Sequence, residues 1–172
     1  LDPRCRWLAT DAVFSMDGDV APLTDLASLA DRAGIGLWVD DAHGFGVRGP
    51  DGRGAVAEAG IRADALVVTF GKALGTQGAA ILGERALIDE LVNAARGVVY
   101  STAPAPLLVA ASEAAFDRMR RDGWRRDALR SRITQFRSGL VRAGVPLPET
   151  SSEDSPIQPI VLGADAAAVA AS

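Results

Sequence analysis

The sequence predicts an α/β layered fold with a largely parallel sheet. Short apolar runs alternate with amphipathic helical stretches as far as Leu82. Two of those runs, residues 35–39 and 65–70, are almost wholly apolar, which suits strands covered on both faces. Each of the two is followed by a glycine-rich loop, over 40–54 and 71–78, and the ends of such strands are where open α/β sheets gather ligands.

The elements follow in order. Residues 6–14 mix β-branched, aromatic and small side chains and read as a strand. Asp17-Gly18-Asp19 marks a loop over 15–22. Pro22 opens a helix with Leu23, Leu26, Leu29 and Ala30 at helical spacing and Gly34 as its stop. After the strand at 35–39 and its loop, residues 55–60 suit one or two helical turns. The strand at 65–70 leads through the second glycine loop to an apolar run at 79–82. Helices are expected over 86–96, 104–121 and 124–143, with a short strand at 98–100 between the first two. A polar, proline-containing linker at 146–156 precedes a strand at 157–162 and a helix from 164. That linker is a candidate domain boundary, with a second domain starting around the helices before it. The expected division is 1–122 for one domain and 123–172 for the start of a small α+β domain.

The chain has 172 residues, 48% hydrophobic, with a formal net charge of −4, enough for one ordinary domain with its own core. The acidic balance gives no electrostatic reason to expect nucleic acid. Arg120, Arg121, Arg125 and Arg126 form the densest basic run, which reads as a solvated helix face. A single cysteine, Cys5, cannot build an internal disulfide, which fits a reducing cytoplasm. No apolar run approaches the about 18–20 residues of a membrane helix, and no signal peptide is expected. The chain opens on Leu1 and stops at Ser172 inside a helical pattern, so it reads as a piece of a longer protein.

Chemistry concentrates in three loops. The first is Asp40-Asp41-Ala42-His43-Gly44-Phe45-Gly46. Acids at the end of a buried strand are costly without a partner. A protonated pyridine nitrogen is one such partner, and His43, the only histidine, lies three residues on. A metal site on Asp40, Asp41 and His43 is a rival, although ligands so close in sequence seldom converge without others. Gly44 to Gly49 also matches the dinucleotide pattern G-x-G-x-x-G, with Asp64 about twenty residues on. That pattern needs a helix opening at the last glycine, and Pro50-Asp51-Gly52 follows instead. A plain turn with a capping or ion-paired acid stays open.

The second loop is Thr69-Phe70-Gly71-Lys72-Ala73-Leu74-Gly75. Lys72 is the only lysine among 18 basic residues. Where a buried strand meets a glycine loop, an ammonium is expected to be desolvated, which favours amine chemistry such as a Schiff base. The alternative is a lysine that snorkels to solvent. A phosphate-binding P-loop is excluded, since Ala73 stands where that motif needs a hydroxyl. The third loop, Tyr100-Ser101-Thr102-Ala103-Pro104, places two hydroxyls before a helix, for a phosphate or a helix cap. Ser15 reads either as a turn residue or as a ligand contact.

Taken together, Val13 to Asp19, Val39 to Gly46, Val68 to Gly75 and Tyr100 to Thr102 resemble the α-oxoamine synthases in order and spacing. These are pyridoxal-phosphate enzymes of fold type I, the aspartate aminotransferase-like fold, which condense an amino acid with an acyl thioester. Phe14 to Asp19, Ser101-Thr102 with Pro104, and Ile157 to Ile160 look closest to the biotin-pathway member. The resemblance implies pyridoxal phosphate as cofactor and Lys72 as its Schiff-base lysine and catalytic base. Asp40 would hold the ring nitrogen and His43 the ring oxygen at the catalytic centre. Thr69 and Ser15 would hold the cofactor, Thr69 at its phosphate. Ser101 and Thr102 would reach the phosphate of a neighbouring subunit in a homodimer. The implied substrates are L-alanine and an acyl thioester, on coenzyme A or an acyl carrier protein, with no resident metal, nucleic acid or membrane partner. Sibling synthases of the glycine C-acetyltransferase or 5-aminolevulinate synthase type, and a non-catalytic partner subunit, remain open.

Overall fold

The computed structural model describes residues 6–147 and 152–161. The chain divides into two compact units, one of Leu1–Val13 with Ala21–Gly123 and one of Phe14–Val20 with Trp124–Ser172.

The first unit is built on a four-stranded sheet of order β1-β2-β3-β4, with β1 Trp7–Asp11, β2 Gly36–Asp40, β3 Ala65–Thr69 and β4 Ala79–Gly83. β1, β2 and β3 are parallel, while β4 runs antiparallel to β3. The reason is connection length. Helix α1 (Leu23–Ala33) carries the chain from β1 back to β2, whereas the glycine loop after β3 is too short for a crossover and closes a hairpin. Leu37, Val39, Ala65 and Val68 are buried along the strands, and Leu23 and Ala30 of α1 are buried with them.

α1 ends where the glycine signal placed its end, with Gly34 in the left-handed region at φ 63°. The short helix α2 is Ala55–Glu58. α3 spans Arg85–Ala94 and α5 Pro106–Arg121. Two expectations fail. Residues 98–100 are no strand: Val98 and Val99 both donate to the Ala95 carbonyl at 2.9 Å, and the turn is helix α4, Arg96–Val99. With no neighbouring strand to pair, the apolar pair Val98-Val99 takes the local bonds of a helix. Residues 157–161 also form no strand, and Leu162, like the helix expected from 164, lies outside the described residues.

In the second unit, α6 spans Trp124–Arg142 and buries Ile133. The segment at 152–161 is held by side chains in place of a sheet ladder. Gln158 donates to the carbonyls of Ser152 (3.1 Å) and Ser155 (2.7 Å) and accepts from Arg137 at 2.8 Å. Ser155 is fully buried, and its hydroxyl accepts the Ile157 N–H at 3.1 Å.

Among the described residues of the first unit one charged side chain is fully buried, Asp41, just past β2. Its backbone N–H donates to Val67 of β3 at 2.8 Å, and its carbonyl accepts from Gly44 (3.2 Å) and Phe45 (2.8 Å). Its Oδ2 accepts the Val56 N–H of α2 at 3.2 Å. Burial pushes the carboxyl up from 3.8 to about 6, against the lowering effect of the Val56 and Ala55 amides; nearby Asp40 raises it further and Arg48 lowers it.

Two outcomes follow for stability. Leu37→Ala, at a side chain only 2% exposed, should cost about 2–5 kcal/mol in urea denaturation. Because folding raises the Asp41 carboxyl, its contribution is fully present below about pH 4 and is lost as pH rises through about 6. The loss is on the order of 3 kcal/mol, and Asp41→Asn should remove that part of the pH slope in thermal melts.

Candidate functional site at the carboxyl edge of the sheet

The parallel register sets the site. Asp11 and Asp40 are partners across β1 and β2, and Asp40 stands opposite Val67 of β3, two residues before Thr69. Asp11, Asp40 and Thr69 therefore lie at one edge of the sheet, at the carboxyl ends of parallel strands.

Successive side chains of a strand point to opposite faces. Asp41 goes into the core, whereas Asp40 is half-buried, and its Oδ1 accepts the Ala42 N–H at 2.9 Å. That bond turns the chain out of β2 into the loop. Its Oδ2 accepts no hydrogen bond among the described residues, so one acceptor stays available. Asp41 is committed to α2, and among the described residues no group of three or more histidines, cysteines and acids is placed to hold an ion.

His43 is half-buried. Its ring is held below the usual 6.5, first by burial and then by the charge of Lys72, against the opposing pull of Asp11 and Asp40. Lys72 and His43 are thus in electrostatic reach of each other, with both carboxylates of the sheet edge beside the imidazole. A ring kept neutral at pH 7 retains one donor and one acceptor.

Lys72 sits in the β3–β4 hairpin. The hairpin is closed by Phe70 N–H to the Gly78 carbonyl (2.9 Å), Thr76 N–H to Phe70 (2.9 Å) and Gly75 N–H to Lys72 (3.0 Å). The side chain is exposed, which corrects the desolvation expected of it. The cause is the hairpin itself, which turns Leu74 inward and leaves Lys72 outside. Lys72 makes no ion pair among the described residues.

The two glycine loops interlock. A Cβ on Gly46 would lie 2.5 Å from the Cβ of Ala73, so the loop carrying His43 touches the loop carrying Lys72 through hydrogen atoms only. Phe45, Val68, Leu74 and Met119 close one buried cluster beneath them, and Phe45 stacks on Phe116 of α5 with centroids 6.3 Å apart. Ser112 of α5 donates to the Thr76 hydroxyl at 2.9 Å, which ties α5 to the lysine hairpin.

The other expected residues stand differently. Ser101 and Thr102 are exposed on the segment before α5, and the Ser101 hydroxyl donates to the Val98 carbonyl at 2.7 Å. Neither caps α5, whose N-cap is Ala105 with Pro106 opening the helix. Ser15 is exposed in the turn of the second unit, closed by Phe14 N–H to the Asp19 carbonyl at 2.9 Å. The dinucleotide pattern leads to no α-helix at Gly49. A three-residue 3₁₀ turn, Pro50–Gly52, follows, and Asp64 accepts the Leu37 N–H at 2.7 Å as a strand-start contact. Asp11 was missed. Its signal was an acid ending a strand, the feature that singled out Asp40.

Residues 1–171 match the model of the aminotransferase class I and II family. The chain is 49% identical to an 8-amino-7-oxononanoate synthase of Halorhodospira halophila over 99% of its length and 43% of that protein's. It is 48% identical to the synthase of the same name from Nitrosococcus oceani, covering 96% of this chain and 44% of that one. The chain thus spans less than half the length of these relatives. Its fold matches a serine palmitoyltransferase variant of S. paucimobilis with bound PLP and myriocin, at TM-score 0.86 and 28% identity, over 95% of this chain and 43% of that one. It also matches 8-amino-7-oxononanoate synthase from Francisella tularensis at TM-score 0.81 and 29% identity, over 95% and 48% of the two chains. The architecture is that of fold type I among PLP-dependent transferases, its neighbours are α-oxoamine synthases, and the chain belongs to the aminotransferase class I and II family.

Proposed function

We propose that this chain supplies the cofactor-holding part of an 8-amino-7-oxononanoate synthase, which joins L-alanine to a pimeloyl thioester in biotin synthesis. The observation that supports the reading is that Asp40 ends β2 at the sheet edge and that the charges of Lys72 and Asp40 both act on the His43 ring. The names of the relatives cited above support the member assignment.

The residues fit pyridoxal phosphate. Asp40 offers a carboxylate with an oxygen to spare, His43 a neutral ring, Lys72 an exposed amine and Thr69 a hydroxyl, while a Cβ on Gly71 would meet nothing closer than 3.8 Å. When bound, the cofactor supplies an electron sink for a carbanion at the amino-acid Cα. Asp40 would hold the ring nitrogen and favour its protonated form. His43 would hydrogen-bond the ring oxygen, and Thr69 would hold the phosphate. Lys72 would anchor the cofactor through its amine and would serve as the base for the Cα proton of alanine. The new carbon–carbon bond forms at the thioester carbonyl, the thiol leaves, and CO2 is lost. Ser15 would also hold the cofactor, and Ser101 and Thr102 would reach the phosphate of a neighbouring subunit in a homodimer.

Ile81, Leu82, Val92, Val99 and Tyr100 stay exposed on β4 and the helices after it, which suits a chain that works within a longer protein. The likeness to serine palmitoyltransferase favours one second reading, a sibling synthase with another amino acid.

In the full-length protein, Lys72→Ala should abolish covalent cofactor attachment, read by mass after borohydride reduction, and cut turnover by ~10³-fold or more. Retained attachment, or turnover within about tenfold of the parent, removes Lys72 from that role. Product analysis with alanine, glycine or serine and pimeloyl thioesters separates the siblings. The His43 ring should titrate below 6.5 by NMR, and a value at or above it breaks the neutral-ring assignment.

A further inference from the structure

The proposed chemistry uses Asp40 and His43 and leaves Asp41, between them, without a task. Yet Asp41 is fully buried and more completely engaged than either. Its backbone joins β3 through Val67 and closes the turn at Gly44 and Phe45. Its carboxylate crosses to the first turn of α2 and accepts the Val56 N–H at 3.2 Å.

Two glycines make room for it. A Cβ at Gly44 would strike Asp41 Oδ1, and one at Gly54 would strike Oδ2, each closer than real Cβ atoms come. Gly54 also takes φ 97°, which L side chains rarely adopt. Residues 44 and 54 thus converge on one carboxylate from either side. Oδ1 and the Arg48 Nη1 are both buried without a hydrogen-bond partner among the described residues, and Arg48 is further held by Glu58 at 2.6 Å. Asp41 is a buried anchor within the loop, beside backbone bonds such as Gly46 N–H to the Gly52 carbonyl (2.7 Å), and that loop begins at Asp40 and carries His43.

The geometry points to Asp41 as a positioning residue: its buried carboxylate, seated between Gly44 and Gly54 and bonded to the start of α2, holds Asp40 and His43 at the sheet edge. It touches neither cofactor nor substrate and acts through those two side chains. The inference rests on the proposed roles of Asp40 and His43, but its first readout needs no cofactor.

The test is made in the full-length protein with Asp41→Ala, Asp41→Asn, Gly44→Ala and the double variant Asp41→Ala/Gly44→Ala. In the cofactor-free protein, the His43 resonance is identified by its loss in His43→Asn and titrated by NMR. Asp41→Ala should move the His43 ring up towards 6.5 as the loop loosens and solvent reaches it. Asp41→Asn keeps an acceptor for Val56 and should restore most of the parent behaviour. Gly44→Ala should disturb His43 by displacing the carboxylate, and should do so much less once Asp41 is already Ala. With pyridoxal phosphate added, Asp41→Ala should weaken binding by about tenfold, the scale at which removing a supporting shell loosens a bound group.

An unchanged His43 titration in folded Asp41→Ala overturns the proposal, whatever the cofactor does. If Asp41→Ala does not fold, an unmoved His43 in Gly44→Ala overturns it. If the parent binds no pyridoxal phosphate, the proposed function fails, while the cofactor-free titration still decides the role of Asp41.

Discussion

Strand β2 ends between two adjacent carboxylates, and strand alternation sends them to opposite faces. Asp40 is left at the sheet edge with Asp11 beside it in register, and Asp41 is driven into the core. A buried carboxylate is tolerated only with donors and space around it. Here backbone amides of α2 supply the donors and two glycines supply the space. The cost of burying that group shapes the whole segment from β2 to α2. The glycine content of this segment is a packing requirement of one acid as much as a cradle for a flat ligand.

The parallel register of β1, β2 and β3 does the remaining alignment. It places chemistry from segments far apart in sequence on one edge, where the loops decide what is recognised. Lys72 arrives there by a different route, through an antiparallel hairpin whose closure is local. The contact of Gly46 with Ala73 joins the two routes. It leaves no room for a side chain at 46, so the backbones of the two loops lie close together there.

Much of this was legible from residue pattern alone. The apolar runs, Gly34 as a helix stop and the exclusion of a dinucleotide helix after Gly49 rest on local rules, and the structure obeys them. Lys72 and Asp40 stood out because a charged residue at a buried strand end needs a reason. The failures were of a different kind. Val98 and Val99 carry strand propensity, but a strand exists only with a neighbour, and their neighbours are the preceding residues of a helical turn. Ile157 to Ile160 fails likewise, held by Gln158 and Arg137. Asp41 was read with Asp40 as one acidic pair, because sequence shows adjacency and not facing. The sequence left Lys72 open between a desolvated and a solvent-facing lysine for the same reason, since its exposure depends on which side of the hairpin faces out.

The hairpin that carries Lys72 has a further consequence, in the order of assembly. β3 and β4 pair residues close in sequence, so their contacts form with little loss of chain entropy. β1, β2 and β3 pair across intervening helices and loops, which is slower. The lysine loop can therefore reach its final shape while the acid and the imidazole still lack their register. The amine is thus carried by pairing that is local in sequence, and its polar surroundings by pairing between distant segments.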